Sequence, residues 1–147
     1  MTVYYLDTSA LVRAYFVDEP DHAELRQLLL DGDLPVVTSE LTRVELASAV
    51  MAAARAGRLP RPQVVLDRFD GDCGDGGPVT MLRLDVETVL PASRDLVLRY
   101  PLRTLDALHL AVVMTTTAHL AGGEGVCLVT RDAGQAAVAA QVGIDVR

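Results

Sequence analysis

Apolar residues recur along the chain in two spacings, and the switches between them mark out the elements. Short β-favouring runs end abruptly in polar residues. Thr2-Val3-Tyr4-Tyr5-Leu6 stops at Asp7, Pro35-Val36-Val37-Thr38 at Ser39, and Val126-Cys127-Leu128-Val129-Thr130 at Arg131-Asp132. Each reads as a buried strand. Val79 to Leu84 reads as a further strand, and Ile144-Asp145-Val146 as a small last one. Between them the spacing turns helical. Helices are predicted over Ala10–Val17 and Asp21–Leu30, and from a Ser39 cap to about Arg55, closed by Gly57. Others are predicted over Pro60–Phe69, from Asp85 to just before Pro101, over Leu102–His119, and over Ala133–Gln141 with Gly143 as its stop. Asp70 to Pro78 reads as a loop, and His119 to Gly125 as a Gly-rich connection.

Strands alternating with helices predict an α/β domain of three layers, with a mainly parallel sheet of four to five strands. No repeat or linker divides the chain, so residues 1–147 are expected to form a single domain. Half of the residues are hydrophobic, enough for a real core. No uninterrupted apolar stretch is long enough to span a bilayer, and the chain begins in a strand, so a soluble cytoplasmic protein is expected. Cys73 and Cys127 suggest neither a disulfide framework nor a metal knuckle.

Charge narrows the chemistry. The formal net charge of −7 argues against a non-specific nucleic-acid binder and suits an acidic site for cations or a basic partner. All 13 basic residues are arginine, so no mechanism that needs an ammonium group is available.

Four acids stand out. In an open parallel sheet ligands sit beyond the carboxyl ends of the strands. Asp7 and Asp132 fall at such ends, although each could simply cap the helix that follows. Glu45 lies in the second turn of its helix, beside Leu41 and Ser48 on a less polar face with Val44, Met51 and Ala52. Its plain alternative is a capping box with Thr42. Asp106 sits within the apolar stripe of Leu102, Leu110 and Val113, where a carboxylate is costly unless paired or bound to a cation. Arg103 is the alternative partner. Together the four could hold one or two hard cations such as Mg²⁺, activate water and stabilise charge in phosphoryl transfer. His109 reads as a core residue or one supporting an acid from behind; His22 and His119 read as surface residues. Asp70-x-Asp72 lacks the glycine and closing Glu of a calcium loop, and the Gly-Gly pairs match no phosphate-binding pattern.

Four stretches then carry a resemblance. They are Tyr5-Leu6-Asp7-Thr8-Ser9-Ala10-Leu11, Thr38 to Leu46, Leu102 to Ala111, and Leu128-Val129-Thr130-Arg131-Asp132. In this order, and spanning nearly the whole chain, they resemble the PIN-domain ribonucleases, and more closely the VapC toxins of bacterial toxin–antitoxin pairs. The resemblance implies RNA cleavage dependent on Mg²⁺ or Mn²⁺, with Asp7, Glu45, Asp106 and Asp132 as catalytic metal ligands and Ser9 and Thr130 as supporting hydroxyls. It also implies a homodimer and a cognate VapB-type antitoxin that brings a basic side chain to the acidic site. Gln135 stands where the family commonly has an apolar residue, so the last helix is expected to dock differently. Leu25, Leu28 and Leu29, or Val64 to Phe69, are the candidate dimer surfaces.

Two other functions compete. A phosphatase of the haloacid-dehalogenase type also ends its first strand in Asp, but needs a second Asp where this chain has Ser9 and usually a downstream Lys. The missing Lys counts equally against a receiver domain. A non-catalytic module whose acidic pocket receives a basic partner segment is the remaining alternative.

Overall fold

The structure is a computed structural model that describes residues 1–147. Its elements are β1 (Val3–Leu6), α1 (Thr8–Tyr15), α2 (His22–Leu29), β2 (Val36–Ser39), α3 (Glu40–Arg55), α4 (Pro62–Asp72) and β3 (Val79–Leu82). They continue with α5 (Val86–Arg99), α6 (Thr104–Val112), a π-helical turn (Val113–Thr117), α7 (Ala118–Ala121), β4 (Val126–Val129), α8 (Ala133–Gln141) and β5 (Asp145–Val146).

The strands form one five-stranded sheet in the order β3-β2-β1-β4-β5, and every pairing is parallel. The chain therefore steps outward from β1 to β3 and then returns to the other side of β1 for β4. That reversal opens a crevice between the carboxyl ends of β1 and β4, the place where open α/β sheets bind ligands. Register brings Leu6 opposite Val129, so Asp7 and Thr130 leave the sheet side by side.

Alternation along each strand sorts its side chains to two cores. Leu6, Val36, Val79 and Val129 pack with α1 to α4, against Leu11, Leu25, Leu46 and Phe69. Val3, Tyr5, Val37, Leu82 and Leu128 pack with α5, α6 and α8, against Val89, Leu96, Leu110 and Val138. Tyr5 and Ser39 thus point to the same face of the sheet, the one covered by α6.

Several boundaries differ from the sequence-based expectation, each for a tertiary reason. The buried face of α3 is Thr42, Leu46, Val50 and Ala53, whereas Val44 of the expected face is 73% exposed. Both stripes have helical spacing; the inward one packs Leu46, Val50 and Ala53 into the core, and its Thr42 hydroxyl meets that of Thr38 at 2.7 Å. Ser39 begins α3 but makes no capping bond; its hydroxyl lies 3.0 Å from that of Tyr5 instead. Asp70 to Asp72 belong to α4 rather than to a loop. Phe69 packs edge-on against Tyr15, whose hydroxyl donates to Asp72, while Arg43 holds Asp70 at 3.0 Å. The chain then turns so tightly that a Cβ on Gly77 would lie 2.2 Å from the Asp72 carbonyl oxygen. The long helix after Pro101 starts at Thr104 and passes through a π-helical turn. Leu25 and Leu29 are buried within the chain, so they are not available for a dimer contact.

Candidate active site

The two strand-end acids are fixed by the helices they start. Asp7 holds extended backbone and caps α1, with Oδ1 accepting from the Ala10 amide at 3.1 Å and the Ser9 hydroxyl at 2.7 Å. Its Oδ2 accepts from Thr130 at 3.0 Å. Ser9 in turn accepts the Arg131 amide at 2.8 Å, which ties the start of α1 to the end of β4. Asp132 caps α8 through Oδ1, which accepts from the Gln135 amide at 2.8 Å, and leaves Oδ2 facing the crevice. Capping and facing the site are therefore one arrangement, not alternatives: the backbone amides fix the rotamer that aims the second oxygen.

The other two acids come from helices packed on opposite faces of the sheet. Glu45 on α3 is half-buried and accepts through Oε1 from Thr8 at 3.0 Å and from His109 Nε2. Thr42 does not join it in a capping box. Asp106 lies in the first turn of α6, and its Oδ2 accepts from Arg103 at 3.1 Å. Arg103 also reaches Asp132 Oδ2 at 2.9 Å and so bridges the two acids. The expected Arg103–Asp106 pair exists, but the Arg103 side chain is 80% exposed. Losing Asp106 would leave that guanidinium in water rather than stranded in the core.

Asp7, Glu45, Asp106 and Asp132 all line one cavity of about 280 Å³, along with Ser9. Val12 is its one apolar wall. Thr130 stands behind, holding Asp7 and Gln135. Arg13 and Arg103, two of the arginines that lie nearest the motifs in the sequence, also line the cavity, whereas Thr8 and Glu19 were not singled out for the site. Glu19 had no signal at all, because it reaches the cavity from the α1–α2 loop while its carboxylate meets Arg58 at 2.9 Å.

Burial raises the Asp7 carboxyl above its ordinary range, against the pull of the Ser9, Ala10 and Thr130 hydrogen bonds. For Glu45 burial also acts upward, but the His109 and Thr8 hydrogen bonds outweigh it and the carboxyl falls below its ordinary value. One acid thus resists losing its proton while another gives it up readily. Every candidate ligand is a carboxylate oxygen, the donor type that hard Mg²⁺ and Mn²⁺ prefer. No three His, Cys, Asp or Glu side chains are gathered into a ready-made cage. Arg103 occupies the place between Asp106 and Asp132 with its side chain largely in solvent.

Beside this cavity, sharing Glu45, runs an apolar groove of about 510 Å³ floored by Leu41, Val44, Leu84 and Leu105. Its Val44 and Leu105 are 73% and 47% exposed. This is the α3 face that the sequence pattern expected to be buried.

Comparison with known proteins places this arrangement. The PIN-domain family profile matches residues 4–141. Ribonuclease VapC35 of Mycobacterium tuberculosis is 35% identical over 114 residues, 76% of this chain and 73% of that protein. Among solved structures, VapBC2 of Rickettsia felis bound to a promoter DNA fragment aligns with a TM-score of 0.63 at 14% identity, covering 99% of this chain and 97% of that one. VapBC-1 of nontypeable Haemophilus influenzae aligns with a TM-score of 0.62 at 13% identity, covering 99% and 96%. These distant structures share the fold, the family profile spans nearly the whole sequence, and the curated relative narrows the kind: the chain belongs to the PIN-domain family, among the VapC ribonucleases.

Proposed function

We propose that the protein is the ribonuclease toxin of a VapBC-type toxin–antitoxin pair, hydrolysing RNA phosphodiesters at the cavity between β1 and β4. The observation that carries this reading is the four carboxylates lining one cavity at the point where the sheet reverses direction. Asp7, Glu45, Asp106 and Asp132 would hold Mg²⁺ or Mn²⁺, with Ser9 and Thr130 keeping Asp7 in place. When bound, the ion lowers the pKa of a water and offsets charge on the phosphate.

The rest falls to the chain itself. Asp7 is bonded at both oxygens, Asp132 is fixed at Oδ1 while its Oδ2 meets only the exposed Arg103, and Glu45 is held through Oε1 alone, so the three carboxylates are oriented before any ligand arrives. Arg13 and Arg103 are the cationic groups in the cavity wall, and they meet the phosphate oxygens of a bound strand. With a net charge of −7 the rest of the surface repels RNA, so substrate is held by these few arginines rather than by a general basic field.

An antitoxin partner follows from the same reading, since the similar solved structures are of VapBC toxin–antitoxin complexes. The groove over Val44 and Leu105 suits the apolar residues of such a partner, and the adjoining acids suit a basic side chain. Both partners would act in the cytoplasm; no helix is long and apolar enough to cross a membrane.

The test uses the purified chain freed of antitoxin. RNA should be cut in Mg²⁺ or Mn²⁺, not in EDTA, and not by Asp7→Asn or Glu45→Gln at otherwise native fold. Cleavage that persists in EDTA would overturn the metal role. A protein that binds the antitoxin tightly yet cuts no RNA with either ion would leave the cavity as a receptor for a basic segment.

A further inference from the structure

Behind Glu45 lies a chain of buried polar groups that none of the four acids explains. His109, on α6, is buried, and so are Tyr5 on β1 and Ser39 at the end of β2. The Tyr5 hydroxyl lies 2.7 Å from His109 Nδ1 and 3.0 Å from Ser39 Oγ. His109 Nε2 meets Glu45 Oε1, which also accepts from Thr8 at 3.0 Å. Strand alternation makes this possible, because Tyr5 and Ser39 face the α6 side together.

Proton counting fixes the one bond that matters. An ionised carboxylate only accepts, so His109 Nε2 must carry the hydrogen that points at Glu45. Tyr5 has a single proton: if it goes to Nδ1, Ser39 donates to the Tyr5 oxygen and the imidazole is neutral; if it goes to Ser39, Nδ1 must carry a second hydrogen and donate to the Tyr5 oxygen. Burial pushes the Tyr5 hydroxyl far up, so it stays protonated as a donor. Either way the imidazole is clamped at both nitrogens, and its ring stands edge-on to Tyr5 at 5.9 Å. Both bonds to Glu45 end on Oε1, so Oε2 has no protein partner and is the oxygen left for the cavity.

We infer that Tyr5 and His109 are positioning residues which hold Glu45 so that it offers Oε2 alone, as a single-oxygen ligand, to a divalent cation. This rests on the metal-site reading above. It gives a role to a histidine that sequence alone cast as core or support, and to a tyrosine that alternation alone would class as core. Hydrogen bonds to a ligating carboxylate set its orientation, and loss of such partners typically weakens metal affinity about 10–100-fold.

The experiment titrates Mn²⁺ into the full chain, without RNA, by calorimetry, for the parent, Tyr5→Phe, His109→Gln and His109→Leu. His109→Gln keeps an N–H donor that reaches Glu45, so its Kd should stay within about threefold of the parent's. His109→Leu should bind about 10–100-fold more weakly, and Tyr5→Phe at the lower end of that range. Nitrogen-detected NMR of the parent histidines should show His109 protonated at Nε2. Should the leucine variant fail to fold, Tyr5→Phe and the parent NMR spectrum still decide. Parent-like Mn²⁺ affinity in Tyr5→Phe or His109→Leu, or a bare Nε2, would overturn the positioning role while leaving the metal site intact. A parent that binds no Mn²⁺ would instead sink the metal-site reading, and this inference with it.

Discussion

At the scale of single residues, the site is built from side chains that do two things at once. Asp7 is the clearest case. Its three hydrogen bonds fix its position, yet burial raises its pKa, so the folded chain holds that proton more tightly than the unfolded chain does. Ionised Asp7 therefore subtracts from stability at neutral pH. That penalty is complete above the raised folded value and disappears as pH falls through it to the ordinary one. Asp7→Asn keeps an oxygen for the Ala10 amide and removes the charge. In EDTA at pH 7 it should melt above the parent, each kcal/mol appearing as roughly 2–4 °C in a chain of this size. The gain should vanish as the pH is lowered, and added Mg²⁺ should raise only the parent's melting temperature. A variant that melts below the parent in EDTA would mean that the hydrogen bonds of the carboxylate outweigh the cost of burying it. The cause of the raised value is burial rather than repulsion among the four acids, because Arg103 already neutralises much of the field around Asp106 and Asp132.

At the scale of elements, α8 shows how a departure from the family pattern is absorbed. Gln135, where the resemblance led to an apolar residue being expected, is fully buried. Its Nε2 donates to the Asp106 carbonyl at 3.2 Å and its Oε1 lies 2.9 Å from the Thr130 hydroxyl. The Ala-rich helix has few large side chains to key its position, and this amide links it to α6 and to the end of β4. The helix is thus docked by hydrogen bonds at its first turn and by Val138 and Ala139 further along. Gln135→Ala removes the bond to the Asp106 carbonyl and the polar contact with Thr130 and opens a small cavity, which should cost about 1–3 kcal/mol in urea denaturation. Parent-like stability would show that α8 is held by its alanines and Val138 alone.

At the scale of the whole molecule, the apolar surface left open is only partly where the sequence pattern put it. Leu25 and Leu29 are buried, which removes most of the first expected dimer surface; in the second, Phe69 is buried but Val64 is 57% exposed. Val86, Leu90 and Val97 instead line one exposed strip of α5, with Leu98 beside it. A homodimer of this chain is accordingly expected to pair through α5. Light scattering of the antitoxin-free protein at micromolar concentration should give twice the chain mass, and Leu90→Glu should return it to that of one chain. A monomeric parent would leave the strip unpartnered, and a dimeric Leu90→Glu would place the contact elsewhere. The groove over Val44 and Leu105 is a separate surface next to the acids.

Much of this was legible in the sequence because the signals were local. Alternating strands and helices gave the α/β class, and strand ends marked Asp7 and Asp132. The helical positions of Glu45 and Asp106 marked two acids within otherwise apolar surroundings. What the sequence left open was a choice between equivalents. Two stripes of α3 have the same period, and packing of Leu46, Val50 and Ala53 into the core, with Thr42 against Thr38, selects the one that is buried. Ser39 has the composition of a cap, yet Tyr5 takes its hydroxyl from another strand. Glu45 and Arg103 each looked ambiguous because their partners, His109 and Asp132, lie 64 and 29 residues away. Spacing along a chain records which residues share a face of one element; which faces meet depends on the order of the strands. In this fold the reversal beside β1 makes that decision and brings four separated acids to one cavity.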